Sequence, residues 1–140
     1  MYLLDTNTLS DLLKDHPQIS VRLRAVPGDR PVVTAILVRI EILQGRFAAV
    51  VKAANRTELL TAADRLVHDE ARLAGLTVLP VTPAVADEFD RLRALKRLKK
   101  IGRKDLLIAC FALAHDATLV TRNVKDFAHV PGLTVENWAD

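Results

Sequence analysis

Tyr2-Leu3-Leu4-Asp5-Thr6-Asn7-Thr8-Leu9-Ser10-Asp11-Leu12-Leu13 is the stretch on which the reading of the whole chain turns. Three apolar residues run into an aspartate, and from Thr6 to Lys14 the apolar positions Leu9, Leu12 and Leu13 recur at helical spacing. A short strand that stops at a carboxylate and passes directly into a helix opens a β-α unit. The pattern repeats along the chain. Pro31–Thr34 reads as a second strand before a helix from about Ala35 to Arg46. Residues 47–74 read as helical with a break near Asn55, and Leu59, Ala63, Leu66 and Leu73 mark an inward stripe up to the C-capping Gly75. Thr77–Val81 is a third strand, and Thr82-Pro83 supplies an N-cap and a first-turn proline for a helix running to about Ile101. An apolar helix, Asp105–His115, leads to a fourth strand, Thr118–Thr121, and Thr134-Val135 adds a short fifth. This alternation predicts an α/β layer fold with a mainly parallel sheet of four to five strands. No repeat, low-complexity tract or linker interrupts it, so the expectation is one domain over residues 1–140.

Half of the residues are hydrophobic even before the five glycines are counted, more than the ~45–50% usual for soluble domains with Gly included. The surplus suggests apolar surface buried against a second chain. Only 4% are aromatic, too few for a large base-stacking platform. A single cysteine, Cys110, forms no internal disulfide and agrees with a reducing compartment. With no signal-peptide pattern after Met1 and no apolar run near the ~18–20 residues of a membrane helix, the expected location is the cytoplasm, with no membrane contact. Charge is concentrated. Residues 91–104 hold eight of the 20 basic side chains and no acid, leaving 12 bases against 17 acids elsewhere. Arg93, Arg97, Lys100 and Lys104 recur at spacings of 4, 3 and 4, which on a continuous helix forms one cationic stripe suited to substrate phosphates.

Four acids occupy positions where ligands sit. Asp5 follows the first strand, Asp105 opens the apolar helix behind the basic run, and Asp126 follows the fourth strand. Glu41 lies within a largely apolar helix, where a lone charge is costly. Each has an ordinary explanation too: a helix cap for Asp5, a snorkelling side chain for Glu41, a dipole-facing acid for Asp105 and a surface loop residue for Asp126. Distant in sequence, they can meet only through the fold, and once gathered they require a cation. Oxygen-only ligands favour Mg²⁺ or Mn²⁺. His16, His68, His115 and His129 lack zinc-type spacing, and there is neither a G-x-x-x-x-G-K loop nor a G-x-S-x-G elbow. A carboxylate cluster beside a basic surface suits metal-assisted phosphodiester hydrolysis.

Leu3-Leu4-Asp5-Thr6-Asn7, Glu41-Ile42-Leu43-Gln44-Gly45, Asp105-Leu106-Leu107-Ile108-Ala109, Leu119-Val120-Thr121-Arg122-Asn123, Lys125-Asp126-Phe127, Gly132-Leu133 and Asn137-Trp138 occur in an order that resembles PIN domains of the VapC type over nearly the full length. The resemblance implies an α/β/α sandwich and an endoribonuclease whose acidic pocket binds Mg²⁺ or Mn²⁺. It implies a toxin that forms homodimers, acts on RNA and is inhibited by a cognate antitoxin. Asp5, Glu41 and Asp105 match the family's first three acids, and Thr6 the hydroxyl beside the first. The fourth falls at Asn123 in some relatives and at Asp126 in others; Asp126 is taken as the acid and Asn123 as a supporting contact. The Ser or Thr usual a few residues before the glutamate is missing, and Thr34 is the nearest hydroxyl. Leu12, Leu13 and Phe47 are expected beside grooves that anchor the antitoxin. Two other functions compete: a PIN-like RNA-binding module without turnover, and a phosphate-accepting aspartate enzyme built on Asp5 and Thr121. Against the latter, Asn7 stands where a second aspartate is usual, and Lys125 is poorly placed.

Overall fold

A computed structural model describes all residues, Met1–Asp140. Five strands, β1 (Tyr2–Leu4), β2 (Val32–Ala35), β3 (Thr77–Leu79), β4 (Thr118–Val120) and β5 (Thr134–Glu136), form one sheet in the order β3-β2-β1-β4-β5. Every neighbouring pair is parallel. The helices are α1 (Thr6–Leu13), α2 (Pro17–Ala25), α3 (Ile36–Lys52), α4 (Arg56–Ala74), α5 (Pro83–Arg93), α6 (Arg103–Ala114) and α7 (Val124–Phe127). They enclose the sheet as the α/β/α sandwich expected from the sequence. Strands of three or four residues make few ladder hydrogen bonds, so burial holds them. Leu3, Leu4, Leu119 and Val120 are completely buried, and Leu3 lies in register with Val33 on one side and Leu119 on the other. Gly132, at φ 79°, makes the left-handed turn before β5 that a side chain would strain.

The strand order places the site. From β1 to β3 the chain steps outward in one direction; the next strand, β4, lies on the far side of β1. Because parallel crossovers are right-handed, this reversal sends the helices after β3 to the opposite face from those before it. The connections that leave the carboxyl ends of the paired strands β1 and β4 therefore run to opposite faces, a topological switch point where such sheets leave a crevice.

Helices α3 and α4 form a long hairpin. Asn55 caps α4 by accepting from the Glu58 N–H at 2.9 Å, and Glu58 in return accepts from the Ala54 N–H at 2.8 Å. Inside the hairpin the fully buried Asp69 accepts from Arg46 of α3, from Arg65 at 3.0 Å and pairs with His68 at 3.0 Å. Burial pushes the Asp69 carboxyl up, but Arg46, His68 and Arg65 outweigh it and hold it below its ordinary range. Arg46 also donates to Ser10 of α1 at 3.2 Å, so one polar knot fastens three helices.

Several expectations are corrected here. The helix beginning at Pro83 ends at Arg93, not near Ile101, and a 3₁₀ turn follows at Lys96–Leu98. Leu92, Leu95, Leu98 and Ile101 recur strictly every third residue. In an α-helix nine residues make about two and a half turns, which would put Ile101 on the opposite face from Leu92, whereas 3₁₀ geometry keeps i and i+3 on one face. The Leu95, Leu98 and Ile101 N–H groups accordingly donate to the carbonyls three residues back, at 3.0, 3.1 and 3.2 Å. No continuous stripe of Arg93, Arg97, Lys100 and Lys104 forms. Leu12 and Leu13 are core residues and are unavailable as partner anchors, whereas Phe47 is 63% exposed. Leu59, expected inward, is exposed at the start of α4.

Candidate functional site

At the switch point Asp5 leaves β1 and caps α1, its Oδ1 accepting from the Thr8 N–H at 2.9 Å. Its own N–H donates to the Val120 carbonyl of β4 at 3.1 Å, and the Thr8 hydroxyl donates to the same carbonyl at 3.1 Å. The Thr34 hydroxyl donates to the Leu4 carbonyl at 2.9 Å. The cap and the candidate ligand position are thus the same residue: one oxygen serves the helix while two threonine hydroxyls, bonded to the last carbonyls of β1 and β4, fix where the carboxylate stands. Thr8 escapes sequence reasoning as a site residue because a threonine in a helix's first turn looks like filler, and Thr34, noted there only as the nearest hydroxyl before Glu41, acts through the β1 backbone.

A cleft of about 290 Å³ opens there, lined by Asp5, Thr6, Asn7, Glu41, Lys104, Asp105 and Asn123 among others. Glu41 comes from α3, and Lys104 and Asp105 from the first turn of α6. Asn123 follows β4, its N–H donating to the buried Thr121 hydroxyl at 3.0 Å. Asp126 faces an adjoining cleft of about 280 Å³, with Arg97, Lys100, Lys125 and His129; Asp105 lines both. Of the two candidates for the fourth position, Asn123 shares the cleft of Asp5 and Glu41, and Asp126 stands next door. Arg93 lines neither cleft; it pairs with Asp90 at 3.2 Å on the surface of α5.

The other acids act on Asp105. Burial pushes the Asp105 carboxyl above its ordinary range, and the charges of Asp5, Asp126 and Glu41 push the same way against the opposing pull of Lys104. Asp105 thus stands between Asp5 and Glu41 in one cleft and Asp126 in the next. Lys104 is ion-paired with Glu41, and that hydrogen bond, then the charges of Glu41, Asp105 and Asp5, raise its ammonium above the usual lysine range despite desolvation.

As the side chains stand, no three acidic, histidine or cysteine groups converge closely enough to grip one ion. The donor set nonetheless fits a hard divalent cation. All donors are oxygens, Mg²⁺ keeps several waters and needs only one or two carboxylates, and the cluster already attracts the chain's own cation. The Thr6 hydroxyl, buried at the cleft without a hydrogen-bond partner, has bonding capacity to spare for a ligating water. A larger groove of about 680 Å³ between α3 and α4 is lined by Lys14, Arg46, Lys52 and Arg65 and by one acid, Glu58, so it cannot gather a cation. Cys110 is completely buried and its thiol is pushed up to about 11, so it supplies no nucleophile.

The model of the PIN domain family matches residues 2–133. Ribonuclease VapC2 of Rickettsia felis is 29% identical over 141 residues, covering 99% of this chain and 98% of the relative. Ribonuclease VapC2 of Haemophilus influenzae is 30% identical over 146 residues, covering 98% and 97%. Among solved structures, VapBC2 from Rickettsia felis bound to a DNA fragment from their promoter superposes with a TM-score of 0.79 at 27% identity, covering 98% of each chain. VapBC-1 from nontypeable Haemophilus influenzae gives 0.80 at 26%, covering 99% and 98%. By family model, sequence and fold together, this chain belongs to the PIN-domain family and, within it, to the VapC ribonucleases.

Proposed function

We propose that the chain is a divalent-metal-dependent endoribonuclease and the toxin of a toxin–antitoxin pair. The observation that carries the metal site is the convergence of Asp5, Glu41 and Asp105, from the end of β1, from α3 and from α6, on one cleft at the switch point. Asp5, Glu41 and Asp105 would hold Mg²⁺ or Mn²⁺, with Asp126 adding negative charge from the adjoining cleft. When bound, such an ion activates a water and offsets charge on the phosphate. The chain's own residues do the rest. The Thr8 cap keeps Asp5 from swinging away, and Thr6 orders water beside it. Asn123 offers an amide to the substrate. Arg97 and Lys100, on the rim of the neighbouring cleft, hold flanking phosphates and fix the strand's path across the acids. RNA is assigned from the VapC ribonuclease relatives. The antitoxin is assigned from the VapBC complexes, and Phe47 and Val51, 63% and 68% exposed on α3, are apolar surface for a partner to cover. A second copy of the chain would draw on the same apolar surplus.

The test is cleavage of end-labelled RNA with Mn²⁺, with chelator and with Asp5→Asn. Metal-dependent cleavage that Asp5→Asn removes supports the reading. RNA binding without cleavage under every metal condition would favour an inactive RNA-binding module.

A further inference from the structure

The first turn of α6 carries a lysine directly before Asp105, so a cation and a carboxylate enter the cleft together. Lys104 Nζ is ion-paired with Glu41 Oε2, and the charges of Asp105 and Asp5 act on it as well. The pair lies at the cleft mouth: the Lys104 side chain is 56% exposed and that of Glu41 31%, so it can part without opening the core. Arg103, the other cation lining this cleft, is turned over the Phe89 ring at 5.3 Å and pairs with no acid. The chain thus supplies its own counter-ion to the acids that a metal would use.

We infer that Lys104 is a tethered competitor of the divalent cation for Glu41, released toward a substrate phosphate when the metal takes that carboxylate. This rests on the metal-dependent reading above. Without metal, the ammonium relieves repulsion among the acids but is itself occupied. With metal, Glu41 is withdrawn and Lys104 is left beside the site with an unpaired charge. Metal and substrate then favour each other, and by linkage the factor is the same in both directions. A lysine committed only to phosphate would leave metal affinity untouched.

The experiment is calorimetric titration of Mn²⁺ into the full chain, without RNA, for wild type, Lys104→Met, Arg103→Met, Glu41→Gln and Glu41→Gln/Lys104→Met. Thermal melts establish that each variant is folded. Lys104→Met should tighten Mn²⁺ binding about three- to tenfold, the scale set by an exposed to half-buried ion pair. Arg103→Met, which removes a charge of the same sign from the same cleft, should change it less than about twofold if the effect is specific pairing rather than general field. Once Glu41 is already Gln, adding Lys104→Met should likewise give less than about twofold, because the competitor has lost its anchor. With a non-cleavable 2′-O-methyl RNA, Mn²⁺ should raise affinity more in wild type than in Lys104→Met. Unchanged or weaker Mn²⁺ binding by Lys104→Met overturns the inference, as does a gain matched by Arg103→Met or retained in the Glu41→Gln background. Wild type that binds no Mn²⁺ overturns the metal-dependent reading itself, a separate outcome.

Discussion

Asp69 and Asp105 are two acids whose surroundings push them in opposite directions. Asp69 has no exposure but two arginines and a histidine, and is held low; Asp105 is pushed up by burial first and then by its acid neighbours. The first is built for stability. Asp69→Asn should lower unfolding free energy by about 2–3 kcal/mol by leaving the buried ends of Arg46 and Arg65 without their counter-charge, read as a shift in urea midpoint. Because the folded Asp69 carboxyl lies below its unfolded value, its contribution is complete above about pH 4 and is lost as pH falls through the folded value. Wild type should therefore lose more stability between about pH 6 and pH 3 than Asp69→Asn does. Asp105 carries the opposite sign. Its ionised form is disfavoured in the fold, so in chelator Asp105→Asn should raise stability by about 1 kcal/mol, seen in melting temperature, while weakening Mn²⁺ binding and abolishing cleavage. Retained cleavage at ordinary Mn²⁺ concentrations would remove Asp105 from the site. Asp105 was legible as a site candidate because it interrupts the border between a basic run and an apolar helix. Asp69 was not, since an acid in a charged helix looks solvated until a neighbouring helix brings an arginine to it.

Among the elements, the strands and most helices could be read from apolar periodicity, because each short strand is buried and bounded by turn or cap residues. The segment after Arg93 reads from the sequence as more of the same helix, although the triplet spacing of Leu92, Leu95, Leu98 and Ile101 already favours the 3₁₀ turn that forms. Basic residues at helical spacing suggested a surface that the backbone does not build, and its four members separate. Arg93 pairs with Asp90, Lys104 with Glu41, and Arg97 and Lys100 line the cleft of Asp126. Neutralising Arg97 and Lys100 together should weaken RNA binding and flatten the log–log salt dependence by up to ~1.5, whereas Arg93→Ala should leave the slope as it is. Binding titrations at several salt concentrations measure both. Equal slopes for the three proteins would show that this rim does not touch phosphate. The 3₁₀ turn is what makes the distinction: it presents Arg97 and Lys100 without aligning them with the end of α5.

For the molecule as a whole, the switch point brings Asp5, Glu41 and Asp105 together from segments far apart in sequence, and that convergence is what no single motif could display. A partner that inhibits by placing an arginine among those acids would compete with the metal, since a guanidinium can bridge two carboxylates. Saturating Mn²⁺ should then weaken antitoxin binding, and the antitoxin should lower Mn²⁺ affinity by the same factor. Calorimetry at matched ionic strength reads this directly, and equal antitoxin affinities with and without Mn²⁺ would place the partner outside the pocket. The central position of β1 also has a consequence for the order in which the protein is made. β1 leaves the ribosome first, yet one of its two neighbours is β4, and the Thr8 hydroxyl waits for a carbonyl 112 residues downstream. At ~5–20 residues per second, roughly 6–22 s of synthesis separate them. Through that interval Asp5 has been translated but Asp105 and the strand that aligns it have not been joined to it. A chain truncated after Asp116 should accordingly show neither cooperative unfolding nor cleavage, and the growing polypeptide is expected to leave the RNA around it intact until β4 has been made.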